Sequence, residues 1–182
     1  MNGELEFKEA LRERVALLRG LSESVLQKAY DNHITFMEGA LPLVQTMREH
    51  GSQCVLVSGG FTFFTERVKE ALGFHHHHAN TLLLEEGKLT GTVQEPILDS
   101  HAKRHALFQY TEELNISRQD VLAIGDGAND LPMILEAGLG VAYHAKPQVQ
   151  EQALQANAAL INHTDLSALL YAQGYSKEEW VD

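Results

Sequence analysis

Hydrophobic and polar positions change their spacing several times along this 182-residue chain, and each spacing predicts a different element. Within residues 4–19 the apolar positions recur at helical intervals with charges between them, which predicts an amphipathic helix. A second helix, capped by Ser22, is expected to pair with the first as an α-hairpin. A third helix over residues 40–50 then leads into an apolar β-run at 53–57.

From residue 53 onward, short apolar runs alternate with helical patterns. After the run at 53–57 and the helix that follows it, we expect a β-hairpin whose turn is at Glu86-Gly87. The expected helices are 62–72, 101–114, 129–137, one from Pro147 and one from Asp165, and the later strands are 120–124, 140–143 and 158–161. Such alternation is typical of a parallel α/β sheet with helices on both faces.

The composition of the chain limits which kinds of molecule it is expected to bind. The chain has 14 Lys plus Arg against 25 Asp plus Glu, and its formal charge of -11 argues against nucleic acid or an anionic membrane as the main partner. It has no apolar run of about 18 residues, the length that a transmembrane helix needs, and no secretory h-region. The single cysteine, Cys54, lies in an apolar run and is expected to be a buried thiol in a reducing, cytoplasmic compartment.

The stretch VLAIGDGANDLPM places two carboxylates at the end of a predicted strand. Gly125-Asp126-Gly127 is a tight turn, and Asp130 falls in the first turn of the following helix, where a carboxylate meets the positive end of the helix dipole. On the residues alone, Asp126 and Asp130 are equally consistent with a turn aspartate and a helix N-cap.

A second tip, CVLVSGGFTFF, is expected to end its strand at Val57 and to lead through Ser58-Gly59-Gly60 into a helix. Backbone N–H groups and the Ser58 hydroxyl could then face an anion, although Ser-Gly-Gly is equally common as an ordinary turn. Both tips follow strands of an open α/β sheet, and ligands of such sheets bind beyond the carboxyl ends of the strands.

Lys103 lies near the start of the helix SHAKRHALFQY, where a lysine is most often simply solvated. If the two tips hold a phosphoryl group, however, a cation is needed to balance its charge. A Mg²⁺ ion prefers few carboxylates and several waters, so Asp126 is expected as its direct ligand, with Asp130 orienting that ligand or a water.

The series SGGF, a lysine at a helix start, GDGANDLPM and AGLGVAYHAKP resembles the haloacid dehalogenase superfamily, and within it the phosphoserine phosphatases. The resemblance covers nearly the whole chain, from MNGELEFKEALRERVALLRGL, which is similar to the helical cap of that family, to INHTDL. It implies a Rossmannoid parallel sheet with a small helical cap, which we place at residues 1–38, and a core at residues 39–182.

The resemblance also implies roles for residues of the core. Ser58 and Gly59, with the Gly60 amide, would bind phosphoryl oxygens, and Lys103 would pair with the phosphate and the nucleophile. The remaining implied roles belong to Asp126 as a Mg²⁺ ligand, Asn129 as a hydrogen-bond donor to the substrate phosphate, and Asp130 in the outer acid shell.

In the cap, Arg14 matches the residue that grips the serine carboxylate, and Met1 and Phe7 match apolar residues that close over the substrate. Phe7 and Arg14 are seven residues apart, about two helical turns, so they share one face of the first helix. Without the resemblance, Phe7 would be read as core and Arg14 as a surface charge.

The chain departs from the family at the nucleophile. In that family the reaction begins at an Asp-x-Asp-x-Thr or Asp-x-Asp-x-Val motif after the first strand. No such motif occurs in this sequence, and its only aspartate before Ser58-Gly59-Gly60 is Asp31. We therefore expect a chain that starts inside the cap and lacks the first, central strand.

Two functions compete on this basis. The first is an N-terminally truncated, inactive form of a Mg²⁺-dependent phosphatase that converts O-phosphoserine to L-serine and phosphate in serine biosynthesis. The second is a non-catalytic, anion-binding or regulatory remnant of the same fold. A receiver-like phospho-acceptor domain is a third idea, against which the cap-like helices count. Another small phosphomonoester and any oligomeric state stay open.

The run His75–His78 suggests a metal site at first sight. Adjacent side chains in a strand alternate between its two faces, so the four imidazoles cannot all ligate one ion. The run therefore predicts no specific metal role.

Overall fold

The structure, a computed structural model, describes residues 2–181, with side chains for residues 7–99 and 101–181. Its helices are α1 (Asn2–Ala16), α2 (Ser24–His33), α3 (Ala40–Glu49), α4 (Thr62–Leu72), α5 (Ser100–Glu113), α6 (Leu131–Ile134), α7 (Pro147–Gln155) and α8 (Ala168–Ala172). Its strands are β1 (Val55–Phe61), β2 (His76–Asn80), β3 (Leu82–Glu85), β4 (Lys88–Val93), β5 (Leu122–Gly125), β6 (Leu139–Tyr143) and β7 (Ala159–Ile161). Short 3-10 helices cover Arg118–Asp120 and Lys177–Glu179.

The chain divides into two compact units. The first comprises Met1–Ile97 together with Thr164–Asp182, and the second comprises Leu98–His163. The second unit is thus one continuous segment, whereas the first is made of two. The predicted division into a cap over residues 1–38 and a core over residues 39–182 stays a prediction.

In the first unit, the predicted α-hairpin packs against the β-hairpin of β3 and β4. The link between α1 and α2 runs beside β4, because Gly20 N–H donates to the Leu89 carbonyl at 2.8 Å and Leu89 N–H donates to the Leu21 carbonyl at 2.8 Å. The shared core consists of Val15, Leu26, Leu82, Leu89, Val93 and Ile97. Burying each of the larger of these side chains contributes about 1.5–3 kcal/mol, so the two hairpins stabilise each other.

The turn of that β-hairpin confirms the prediction from Glu86-Gly87. Both residues have positive φ, 48° and 73°, the combination that a two-residue type I′ turn requires. β3 and β4 then pair antiparallel, with Leu84 opposite Leu89 and Glu85 opposite Lys88.

Two segments of the first unit take part in strand pairing that the sequence did not predict. α2 covers Ser24–His33, and the predicted cap Ser22 accepts a hydrogen bond from Ser24 N–H through its Oγ at 3.3 Å. The backbone of Ser22 also forms an isolated β-bridge with Lys88, which the sequence did not predict. The run His76–Asn80 forms β2, parallel to β1, although histidine is an uncommon residue for a parallel strand.

The C-terminal segment completes the first unit. Leu166 N–H donates to the Glu38 carbonyl at 2.8 Å, and Leu169 and Leu170 are fully buried. Gly39 has a φ of 75°, and a Cβ there would collide with Asp165 and with the backbone of Ser167. A glycine is therefore required where this segment crosses the start of α3.

The second unit is a three-stranded parallel sheet in the order β5-β6-β7. Its core is formed by Leu131, Ala142, Ala145, Val149 and Ala153, from α6, β6, α7 and the link between the last two. The α/β class and the parallel pairing are confirmed. Among the described residues β1 pairs only with β2 and β5 only with β6, while the absence of a first central strand stays a prediction.

Within residues 2–181, no helix has the length and apolar character to cross a membrane. The cytoplasmic location stays a prediction.

Candidate active site

Asp130 is the centre of a polar cluster in the second unit and is only 3% exposed. Its Oδ2 accepts hydrogen bonds from the backbone N–H groups of Asp126 at 3.1 Å and Gly127 at 3.0 Å. Its Oδ1 forms an ion pair with Lys103 Nζ and lies 3.5 Å from Asn129 Nδ2. Four donors thus surround one buried carboxylate, which satisfies it and fixes the loop in front of it.

The direction of this side chain corrects one interpretation of the sequence. Asp130 is the N-cap residue of α6, but its carboxylate makes no capping hydrogen bond to that helix. It reaches back to the loop instead, which is possible because Gly125 has no Cβ where the Asp130 side chain lies. α6 is also shorter than the predicted 129–137, since it covers only Leu131–Ile134.

Lys103 is placed by the start of α5. The helix is N-capped by Asp99, whose side chain accepts from the N–H groups of His101 at 3.0 Å and Ala102 at 3.2 Å. The Lys103 and Asp130 side chains are 13% and 4% exposed, so water screens their attraction little. Lys103 and Asp130 are therefore neighbours in the second unit, while a role of Lys103 at the phosphate and the nucleophile stays a prediction.

The Asp126 carboxylate, unlike that of Asp130, is available to bind a metal ion. It is exposed, and among the described residues no group donates a hydrogen bond to its carboxylate. One available carboxylate beside a second that is fully engaged suits the few-carboxylate, many-water preference of Mg²⁺. The part of the chain that the structure describes contains no cluster of three or more His, Cys, Asp or Glu side chains that could hold a metal.

The Ser58-Gly59-Gly60 segment is not the turn that the sequence predicted. β1 continues through it to Phe61, with a shift in register between Val57 and Phe61. Gly60 N–H donates to Ser58 Oγ at 3.0 Å, and the Gly59 carbonyl accepts from Asn80 Nδ2 at 3.0 Å. The expectation of free amides is thus wrong for Gly60, while the Ser58 hydroxyl keeps its own proton to donate.

Phe7, from the predicted cap, lies beside this segment. Its ring Cζ is 3.7 Å from the position that a Cβ on Gly59 would take, and the residue is 41% exposed. Arg14 lies in the last turn of α1, is exposed, and forms no ion pair with a described side chain. Met1 lies outside the described residues.

The predicted site residues therefore fall into two groups. The structure brings Lys103, Asp126, Asn129 and Asp130 together in the second unit. In the first unit it places Phe7 beside Gly59, within the same unit as Arg14, Ser58 and Gly60. A single site formed from both groups stays a prediction.

A second ion-pair network was missed by the sequence reasoning. Glu136 Oε1 accepts from Arg104 Nε at 2.9 Å, and Glu136 Oε2 accepts from Arg118. Both guanidinium groups also lie near the Phe108 ring, with their Cζ atoms at 4.9 and 5.2 Å from its centroid. Because Arg104 follows Lys103 on α5, this network braces the helix that carries the lysine. No local pattern connects these residues, which are up to 32 positions apart.

Cys54 is half-buried just before β1, and burial raises the pKa of its thiol to about 11. A thiol with such a pKa is almost entirely protonated at neutral pH, so Cys54 is a poor nucleophile. The predicted burial of this thiol is therefore only partial, and the reducing compartment stays a prediction.

Comparison with known proteins gives a consistent result. The sequence profile of haloacid dehalogenase-like hydrolases matches residues 1–135. A phosphoserine phosphatase from Polaromonas sp. strain JS666 is 46% identical over 175 residues, which cover 93% of this chain and 72% of that protein. The phosphoserine phosphatase of Haemophilus influenzae strain Rd is 43% identical over 170 residues, covering 93% of this chain and 52% of that protein.

A solved structure described as a phospho-aspartyl intermediate analogue of phosphoserine phosphatase superposes with a TM-score of 0.82 at 37% identity. The match covers 94% of this chain and 80% of that one. The chain therefore shares a fold with that phosphatase, while it spans about half the length of the Haemophilus relative.

Proposed function

This chain belongs to the haloacid dehalogenase-like hydrolase family, and we propose on that basis that its fold serves the hydrolysis of O-phosphoserine to L-serine and phosphate. The relatives named above are phosphoserine phosphatases, which supports a small phosphomonoester as the ligand. The observation that carries the proposal is the Asp130 cluster, in which a largely buried lysine on α5 meets a short loop that carries one engaged and one exposed carboxylate.

We assign Lys103 to the charge of the phosphoryl group. Asp130 holds the ammonium in place from one side, and the remaining N–H groups of Lys103 can donate to phosphate oxygens. Asn129 is exposed on the same loop and can donate through Nδ2. By resemblance, Ser58 is assigned to the phosphoryl oxygens through its hydroxyl proton.

Arg14 and Phe7 are assigned to the serine portion of the substrate. Arg14 has no ion pair with a described side chain, so its guanidinium is available for a bidentate bond to a carboxylate. Phe7 would cover the ligand with an apolar ring. Met1 retains the same role by resemblance only.

The donor set around Asp126 fits Mg²⁺, with Asp126 as direct ligand and Asp130 as the group that holds the loop rigid. When bound, the ion would neutralise negative charge on the phosphoryl oxygens. Asp130 itself is not a direct ligand in this proposal, because both of its oxygens already accept hydrogen bonds.

Turnover needs a nucleophile that these 182 residues do not contain. The related solved structure is named for a phospho-aspartyl intermediate, whereas this sequence has no Asp-x-Asp motif. We propose that the 182-residue polypeptide binds O-phosphoserine in the presence of Mg²⁺ but does not hydrolyse it.

Calorimetric titration of the 182-residue chain with O-phospho-L-serine, with and without Mg²⁺, tests binding, and phosphate release tests turnover. Arg14→Gln should weaken binding at least about tenfold, since it removes a charged hydrogen bond. Arg19→Gln is the matched control, because Arg19 is a second exposed arginine just beyond α1.

Absence of any binding would contradict the proposed function. Phosphate release that Asp126→Asn abolishes would contradict the claim that the chain is inactive. The DNA upstream of the Met1 codon separates the two remaining readings: an in-frame apolar strand followed by Asp-x-Asp supports a truncated phosphatase, and an in-frame stop codon supports a non-catalytic, anion-binding remnant.

A further inference from the structure

Strand β2 contains a run of histidines that the phosphatase function does not use. Strands of parallel sheets are normally apolar, and the β1 residues opposite the run are Val55, Leu56 and Val57. Histidines at consecutive positions of such a strand are therefore a departure from the ordinary pattern. The histidines on the two faces of β2 have different surroundings.

One face carries His75, which precedes the strand, and His77. Cys54 N–H donates to His75 Nδ1 at 3.0 Å, and His77 Nδ1 lies 2.8 Å from the hydroxyl of Thr65 on α4. Burial lowers the pKa of His75, as do the charges of Arg48 and His76. Both imidazoles on this face thus hold structural hydrogen bonds.

The other face carries His76 and His78. Side chains two residues apart on a strand point the same way, and their Cα atoms lie about 6.6 Å apart. His76 is exposed and His78 half-buried, so solvent reaches this face. Two imidazoles at this spacing can converge on a single ion with metal–nitrogen bonds of about 2.0 Å.

We propose that His76 and His78 form a two-histidine chelate for a late first-row divalent transition ion such as Zn²⁺. Imidazole nitrogen is a preferred ligand of these ions, whereas Mg²⁺ prefers oxygen. Water completes the coordination, because the described residues supply no cluster of three or more ligating side chains. Both residues also interact with other groups of the chain, and an imidazole can hold such a neighbour through one nitrogen while it ligates a metal through the other.

The site is independent of the phosphatase proposal, since it uses neither the Asp130 cluster nor Ser58. The test is a calorimetric titration of the whole chain with Zn²⁺ in excess Mg²⁺, so that Mg²⁺ competes with Zn²⁺ for exposed carboxylates. Wild type, His76→Gln, His78→Gln and a control, His105→Gln, are compared. His105 is an exposed histidine on α5 with no described partner.

A chelate loses most of its affinity when either arm is removed, so each of His76→Gln and His78→Gln should weaken the Zn²⁺ site about a hundredfold. His105→Gln should leave it unchanged. Imidazole NMR signals of both His76 and His78 should shift at one equivalent of Zn²⁺, and circular dichroism checks that each variant is folded.

Wild-type affinity in either β2 variant would overturn the proposal, as would a Zn²⁺ shift confined to other histidines. Absence of a Zn²⁺ site in the wild-type chain would overturn it as well, whatever the outcome of the phosphoserine titration.

Discussion

Two ion pairs in this molecule have the same design and very different surroundings. In the first unit Arg12 pairs with Glu95 at 2.7 Å, and Glu95 also accepts from Ile97 N–H at 3.1 Å. In the second unit Lys103 pairs with Asp130, which also accepts two backbone N–H groups. The first pair is 50% and 55% exposed, and the second is 13% and 4% exposed.

Burial decides what each pair can do. Water and salt compete with the Arg12–Glu95 pair, so it contributes little beyond fixing the exit from β4. The Lys103–Asp130 pair is shielded, so removing either partner leaves a buried charge alone. An ion pair between a cation and a carboxylate therefore fixes a surface segment in the first unit, whereas in the second unit it organises a candidate catalytic loop.

The largest expected effect comes from breaking the buried pair. Asp130→Ala should lower the free energy of unfolding by about 3–5 kcal/mol, because Lys103 and two backbone amides lose their acceptor. Urea denaturation measures the loss, and hydrogen exchange should show it at residues 125–131. Asp126→Ala is the control, expected within about 0.5 kcal/mol of wild type. Equal losses in both variants would show that Asp130 does not organise the loop.

The packing around the buried pair is the next target. Gly125→Ala places a methyl group where the Asp130 side chain lies, and such overpacking should cost about 1–3 kcal/mol. Gly59→Ala is the matched control in β1, since its new Cβ would meet Phe7 at an ordinary 3.7 Å. Thermal unfolding compares the two. A Gly125→Ala variant as stable as Gly59→Ala would contradict the close approach of Asp130.

The exposed pair should give a smaller, pH-dependent effect. The Arg12 hydrogen bond lowers the pKa of Glu95 below its ordinary value of 4.5, so the pair stabilises the folded state above that pH and loses its contribution as pH falls through the folded pKa. Unfolding of wild type and Glu95→Gln should therefore differ at pH 7 and converge in acid. Glu9→Gln, at another exposed glutamate, is the control for the loss of one surface charge.

Added salt should change stability least, and it should distinguish the exposed Arg12–Glu95 pair from the shielded Lys103–Asp130 pair. At about 1 M NaCl the screening length is about 3 Å, which weakens exposed ion pairs and leaves buried ones nearly intact. The stability difference between wild type and Glu95→Gln should shrink in high salt, while that between wild type and Asp130→Ala should persist. Equal shrinkage of both differences would mean that solvent reaches the Lys103–Asp130 pair.

The sequence predicted local features better than distant ones. The turn at Glu86-Gly87 and the helix over 62–72 match the structure because their signals, positive-φ residues and helical periodicity, are local. Ser58 was misjudged because its partner strand, β2, is remote in sequence. A cap or a turn is a default that long-range strand pairing can override.

The candidate site shows the same limit. Spacing placed Asp126 and Asp130 at the end of a strand, but it could not show that the Asp130 carboxylate turns back into the loop. That orientation depends on Gly125 and on Lys103, which lies 27 positions away. The roles of Arg14 and Asn129 came from the family resemblance alone, and they remain proposals.

The two-part composition of the first unit also bears on how the chain folds during synthesis. Leu169 and Leu170 are fully buried, and Leu166 donates to Glu38, in a unit whose larger segment, Met1–Ile97, precedes the second unit. A ribosome releases the whole second unit before it releases these leucines. The loop with Asp126 and Asp130 can therefore fold on the nascent chain before Leu169 and Leu170 complete the core of the first unit.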